Sequence, residues 1–164
     1  MTEKGYKVYG YRWVILIVFM LVNIAIQILW ISFASIGGEA ANFYGVTDLN
    51  IGFLSMIFMV VYVPLSIPVS WLIDKWGFKK AVGLGALIMS VFGLLRGIYA
   101  DEYSLVVITT IGIAVSQPFF LNAFTTVAAK WFSIDERAIA SGLATVAMFV
   151  GIAIGAHPNI NFRL

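Results

Sequence analysis

Trp13-Val-Ile-Leu-Ile-Val-Phe-Met-Leu-Val-Asn-Ile-Ala-Ile-Gln-Ile-Leu-Trp-Ile-Ser-Phe-Ala-Ser-Ile36 contains no Asp, Glu, Lys or Arg. A hydrocarbon core about 30 Å thick needs about 20 mostly apolar residues to cross it as a helix. This run is long enough. It is too long for the apolar part of a cleavable secretory signal, and no small-residue cleavage site closes it. The stretch therefore reads as a transmembrane helix.

Working outward, four further runs follow. With the first they span about 13–36, 51–73, 81–99, 105–129 and 138–156. The composition agrees: 62% of residues are hydrophobic and 11% charged, and the mean hydropathy is +0.99. Soluble domains average about 45–50% apolar and about 25% charged residues. Charge this sparse cannot cover a surface facing water. All five runs are expected to be helices, because an open strand edge leaves backbone groups unsatisfied in lipid. The short connections make neighbouring helices antiparallel. No soluble domain and no internal repeat is apparent.

Charge sets the expected orientation. Lys4, Lys7 and Arg12 precede the first span, Lys75, Lys79 and Lys80 separate the second and third, and Lys130 and Arg137 separate the fourth and fifth. The alternate connections carry Glu39, Asp48, Asp101 and Glu102 without a Lys or Arg. Cytoplasmic loops carry the basic excess, so residues 1–12 form a cytoplasmic N-terminal segment. Arg96 lies late in the third span, where its side chain is expected to snorkel outward.

The chain has no cysteine and one histidine, His157. That excludes a disulfide framework and thiolate metal sites, and leaves too few ligands for a zinc site. No cofactor, metal or nucleic-acid partner is expected. No paired acids, histidine cluster or nucleophile with a base lies inside the spans, so an intramembrane enzyme is the weakest reading. No acid lies within a span either, so no proton relay is evident.

Polar residues inside spans are costly and usually face a bundle interior or a cavity. Asn23, Gln27 and Trp30 fall at spacings of four and three, on one helical face. They line a cavity or act as hydrogen-bonding glue between helices. Ser116, Gln117, Pro118 and Asn122 cluster in the fourth span. Pro118 removes a backbone donor and is expected to kink the helix, which would aim Gln117 inward or simply bend the span. Pro64 and Pro68, with Tyr62 and Ser66, bend the second span, for gating or in a static bundle. Gly93 and Gly97, and Gly151 and Gly155, have the four-residue spacing of close helix contacts.

The connection Ser70-Trp-Leu-Ile-Asp-Lys-Trp-Gly-Phe-Lys-Lys80 reads locally as a basic hairpin, with Gly77 supplying the positive φ of a tight reversal. Its spacing also resembles the signature loop of the major facilitator superfamily, roughly Gly-x-Leu-x-Asp-Arg-x-Gly-Arg-Lys. Leu72, Asp74, Lys75, Gly77 and Lys79 match, whereas Ser70 and Phe78 depart from it. The resemblance implies an all-α membrane protein whose five helices are an incomplete N-terminal six-helix half of a twelve-span fold. It also implies a gating role for Asp74, Lys75, Gly77 and Lys79, with Pro64 and Pro68 as bending points. Asp74 would engage groups of the second half.

Tyr11-Arg-Trp13, Phe43-Tyr-Gly-Val-Thr47, Tyr62-Val-Pro-Leu65, Gln117-Pro-Phe119 and Lys130-Trp-Phe132 resemble the feline leukaemia virus subgroup C receptor-related branch. That branch is associated with choline and ethanolamine uptake and with haem export. The resemblance implies that Trp30 and Gln117 line a choline site in a plasma-membrane transporter working by alternating access; Asn23 and Gln27, on the helical face of Trp30, and Tyr62 are further candidates for the same site. Its partners would be a small-molecule substrate, the lipid bilayer and the missing C-terminal half. The polar tail 157–164 reads as a truncation, so the chain alone is expected not to transport. The competing reading is a small multi-span protein that acts as an interaction or assembly partner.

Overall fold

The computed structural model describes residues 10–157. Lys4 and Lys7, and the tail beyond His157, lie outside the described residues. Seven α-helices follow in order: α1 (Arg12–Ser35), α2 (Gly37–Tyr44), α3 (Asp48–Trp76), α4 (Phe78–Ile98), α5 (Tyr103–Leu121), α6 (Phe124–Trp131) and α7 (Arg137–Gly155). A 3-10 turn at Ile134–Glu136 leads into α7. There is no strand among the described residues. Five helical stretches are long and apolar enough to cross a membrane, with α5 and α6 together counting as one. The chain is an all-α integral membrane protein.

The helices stop and start for local reasons. Gly45 adopts φ 64 and closes α2, its N–H donating to the Ala41 carbonyl. Two residues on, the Thr47 hydroxyl accepts from the Asn50 N–H and caps α3, whose first turn holds Asp48. Gly77 has φ 83 and ψ 157 and joins α3 to α4 without a loop. Only glycine occupies that region readily. The capped ends extend α3 and α4 beyond their purely apolar runs, because polar residues finish a helix outside the hydrocarbon.

The fourth span departs from the sequence expectation. The helix continues through Pro118 to Leu121 and breaks at Asn122 and Ala123, where the Ala123 N–H bonds the Phe120 carbonyl. The interruption thus sits a turn beyond the proline rather than beside Gln117. α3 likewise carries Pro64 and Pro68 within one uninterrupted helix of 29 residues.

α5 is the central element. About 61% of the apolar stretch within Tyr103–Trp131, which α5 opens, is buried, against 22–28% in each of the other spans. Apolar side chains as exposed as Leu49, Val63 and Ile67 coat the outside of the bundle, as expected of a surface bathed in lipid. Two buried clusters stack along the bundle. One joins Leu16, Phe19, Ile73, Phe119, Val127 and Phe132. The other, nearer α2, joins Ile26, Leu54, Phe58, Val106, Ile113 and Phe120.

The glycine pairs divide. Ala140, Ala144, Ala147, Gly151 and Gly155 are the buried face of α7, and they let α1 approach closely. A Cβ built on Gly151 would lie 2.7 Å from the Ile24 carbonyl oxygen. Gly93 and Gly97 do not act this way. A Cβ on Gly97 meets nothing within 4 Å, and one on Gly93 meets only Leu29 Cδ1 at 3.8 Å. The same spacing packs a helix in one case and leaves space in the other.

At the opposite end from α2, Arg12 Nη2 lies 2.7 Å from Glu136 Oε1 and ties the start of α1 to the turn before α7. The guanidinium also sits 5.8 Å from the Trp13 ring and 5.9 Å from the Phe132 ring. Ser133 Oγ donates to the other Glu136 oxygen at 3.1 Å. Exposed pairs contribute about 0.2–1 kcal/mol, and this one is half shielded. A double-mutant cycle over Arg12→Ala and Glu136→Ala, read by thermal unfolding in detergent, is expected to return a coupling of about 1 kcal/mol that shrinks at high salt. A coupling of zero at low salt would remove the pair from the fold's energetics.

Candidate functional site

Three residues of the expected site lie on α1. Asn23 and Gln27 are 0% and 1% exposed. Asn23 Nδ2 donates to the Phe19 carbonyl of its own helix at 2.8 Å. Asn23 Oδ1 and Gln27 Oε1 are buried with no hydrogen-bond partner among the described residues. Neither amide hydrogen-bonds another helix among the described residues. Two more buried oxygens, Ser55 Oγ and Thr110 Oγ1, are also unpartnered.

Trp30 is only partly buried, and its indole N–H donates to the Ser55 carbonyl of α3 at 3.1 Å. That bond fixes the ring, and no ring or cation stacks on it among the described residues. Gln117, on α5, is 7% exposed and makes no side-chain hydrogen bond among the described residues. No hydrogen bond directly joins Trp30, Gln117 and Tyr62.

Tyr62 belongs to a different network. Its hydroxyl donates to Asn122 Oδ1 at 2.9 Å. Asn122 Nδ2 donates to the Ser66 carbonyl at 2.8 Å and to Ser70 Oγ at 2.9 Å. Asn122 occupies the break between α5 and α6, so one side chain fastens that break to three turns of α3. Sequence reasoning placed Asn122 in the polar cluster of the fourth span but gave it no site role. The signal was present in the spacing: Tyr62, Ser66 and Ser70 recur every four residues on one face of α3.

The residues of the signature-like connection sit at the surface. Asp74, Lys75 and Lys79 are exposed. Asp74 makes no ion pair among the described residues. Lys75 Nζ lies 4.6 Å from the Trp71 ring, one turn back on α3.

Arg96 reverses its expected direction. It folds back against α1, with Nη1 donating to the Leu29 carbonyl at 3.1 Å and Nη2 to Ser32 Oγ at 3.5 Å. Its guanidinium stands 5.4 Å from the Phe33 ring. One carbonyl and one hydroxyl of α1, with an aromatic face, replace the water that snorkelling would reach. The nearby Tyr44 phenol donates to the Ala100 carbonyl. Burial first, and then Asp101, push that phenol above its ordinary value, with Arg96 acting in the opposite direction.

The sequence profile of the Major Facilitator Superfamily matches residues 8–157. Among curated proteins, the choline/ethanolamine transporter flvcr2b of Danio rerio is 33% identical over 157 residues, covering 94% of this chain and 32% of its own length. Choline/ethanolamine transporter FLVCR2 of Homo sapiens is 30% identical, covering 91% of this chain and 29% of its own. Choline/ethanolamine transporter FLVCR1 of Mus musculus is 31% identical, covering 88% and 26%. The chain thus spans about a third or less of the length of these relatives. With the profile running almost from end to end over five membrane-crossing stretches, the chain belongs to the major facilitator superfamily.

Proposed function

We propose that this chain is the first part of a transporter that moves a small organic cation, choline or a close relative, across the plasma membrane by alternating access, with its N-terminus in the cytoplasm. The observation that carries the substrate class is Trp30. Its ring is held by the Ser55 carbonyl and stacks on nothing among the described residues. A tryptophan face attracts a quaternary ammonium by up to about 2 kcal/mol when water is excluded. The other residues proposed for the site, Asn23, Gln27, Gln117 and Tyr62, are neutral and bring amide and hydroxyl dipoles without charge. Such a lining suits a cation with a hydroxyl better than haem, whose carboxylates call for cationic partners. The names of the relatives support the same reading. Asp74, Lys75, Gly77 and Lys79 serve as gating residues in this proposal, and Pro64 and Pro68 as bending points of α3.

The test is choline uptake by the complete transporter in liposomes. Trp30→Ala is expected to raise the apparent KM about 30-fold, the equivalent of about 2 kcal/mol, with Trp30→Phe in between. Gln117→Ala is expected to raise it less. Unchanged KM in both alanine variants would overturn the site. The 164-residue chain by itself is expected to give no saturable uptake, because alternating access needs two repeats moving about a central site.

A further inference from the structure

A second polar feature lies away from Trp30, Gln117 and Tyr62. α1, α2, α4 and the start of α5 enclose a partly open cavity of about 340 Å³ at the α2 end of the bundle. That volume is in the range of small-ligand sites, about 300–1,000 Å³. Gly93 and Gly97 line it without side chains to fill it; a Cβ would meet nothing within 4 Å at Gly97 and only Leu29 Cδ1 at 3.8 Å at Gly93. Leu29, Phe33, Ile36 and Phe43 make its walls apolar, while Arg96 and Glu39 bring opposite charges to its lining.

Arg96 is the unusual member. A cation at this depth ordinarily pairs with an acid or faces water. Here it spends two of its five donors on the Leu29 carbonyl and Ser32 Oγ, and no carboxylate pairs with it among the described residues. Glu39 borders the same space, likewise without an ion pair among the described residues. The cavity is therefore lined by a partly buried guanidinium and by the exposed carboxylate of Glu39, with aromatic and aliphatic walls between them and no ion pair to either among the described residues.

We propose that this cavity binds the headgroup of a zwitterionic glycerophospholipid, its phosphodiester on Arg96 and its ammonium toward Glu39 and the Phe43 ring. Guanidinium donors match phosphate oxygens, and a carboxylate beside an aromatic face suits an ammonium. The apolar walls take the start of an acyl chain. A free phosphate would satisfy Arg96 alone, would face Glu39 with like charge and would leave those walls wet. A purely anionic lipid has the same conflict with Glu39. The inference does not rest on the transport reading, because none of the proposed substrate residues lines this cavity.

The experiment is native mass spectrometry of the delipidated chain in mild detergent. The chain is titrated with palmitoyl-oleoyl-phosphatidylethanolamine, palmitoyl-oleoyl-phosphatidylglycerol and inorganic phosphate. One phosphatidylethanolamine is expected to bind saturably, more tightly than phosphatidylglycerol, and millimolar phosphate should not displace it. Arg96→Gln and Gly97→Leu should each weaken binding at least tenfold. Glu39→Gln should remove the preference over phosphatidylglycerol. Gly52→Leu, on an exposed turn of α3 where a Cβ meets nothing within 4 Å, should change nothing. Gly97→Leu breaks no hydrogen bond, so it reads the site even if Arg96→Gln disturbs folding. Equal binding by wild type and Gly97→Leu would overturn the proposal, as would displacement by phosphate or a preference for phosphatidylglycerol.

Discussion

Gly151→Leu is expected to destabilise the chain by about 3 kcal/mol or more and to separate α7 from α1. The glycine faces backbone, not a yielding side-chain tip: a Cβ there lies 2.7 Å from the Ile24 carbonyl oxygen and 3.0 Å from Ile24 Cα. Gln27 Cβ stands 2.8 Å away. None of these atoms can swing aside, so the helices must part. Overpacking a tight site costs about 1–3 kcal/mol for modest insertions, and leucine adds three carbons beyond the one that already collides. In lipid the loss is not recovered by burying apolar surface elsewhere, because helix association there depends on packing itself. Gly142→Leu on the same helix is the control. Its position is exposed and a Cβ meets nothing within 4 Å, so it is expected to be neutral or slightly stabilising, glycine being a poor helix residue. Thermal unfolding in detergent, with tryptic cleavage as a second readout, compares the two. Equal stability of Gly151→Leu and wild type would mean that α1 and α7 do not meet as described.

That contrast shows where sequence is legible. The spans could be read because lipid makes length and hydropathy nearly sufficient: Trp13–Ile36 has no alternative in a bilayer. Gly77 was readable because a reversal this tight requires its φ. Gly93 and Gly97 share the spacing of Gly151 and Gly155, yet only the second pair meets another helix closely. The difference lies in the opposing surface, which spacing on one helix does not encode. Arg96 was misdirected for the same reason. Its turn toward Leu29 and Ser32 depends on a carbonyl and a hydroxyl of α1, 67 and 64 residues away. Its partners become neighbours only once α1 and α4 are packed. Within the candidate site, the stripe of Asn23, Gln27 and Trp30 was evident from period alone. Its consequence was not: both amides are walled in, and only Trp30 reaches across to α3. The break at Asn122 was hidden by Pro118, which attracts the expectation of a kink to itself. The structure instead interrupts the helix where a neighbouring helix captures the side chain.

Asn122→Ala is accordingly expected to cost about 2 kcal/mol. A polar contact between membrane helices averages about 0.6 kcal/mol and reaches about 1.7. Asn122 makes three strong ones, with Tyr62, the Ser66 carbonyl and Ser70. Their removal leaves the Tyr62 and Ser70 hydroxyls without this partner in a partly buried seam. Tyr62→Phe or Ser70→Ala alone deletes one contact and should cost about 0.6 kcal/mol. The sharper measure is the cycle between Asn122→Ala and Tyr62→Phe. Since the second variant removes a bond that the first has already broken, the double variant should be little worse than Asn122→Ala. Amide exchange gives a second, local reading. With the side chain gone, only apolar packing holds the α5–α6 break against α3, so protection around residues 122–124 should fall more than protection at the centre of α5. Additive effects together with unchanged exchange would show that the break is held by the buried Phe119, Phe120 and Val127 packing alone. Loss of both together would make Asn122 the fastening on which any movement of α6 against α3 must act.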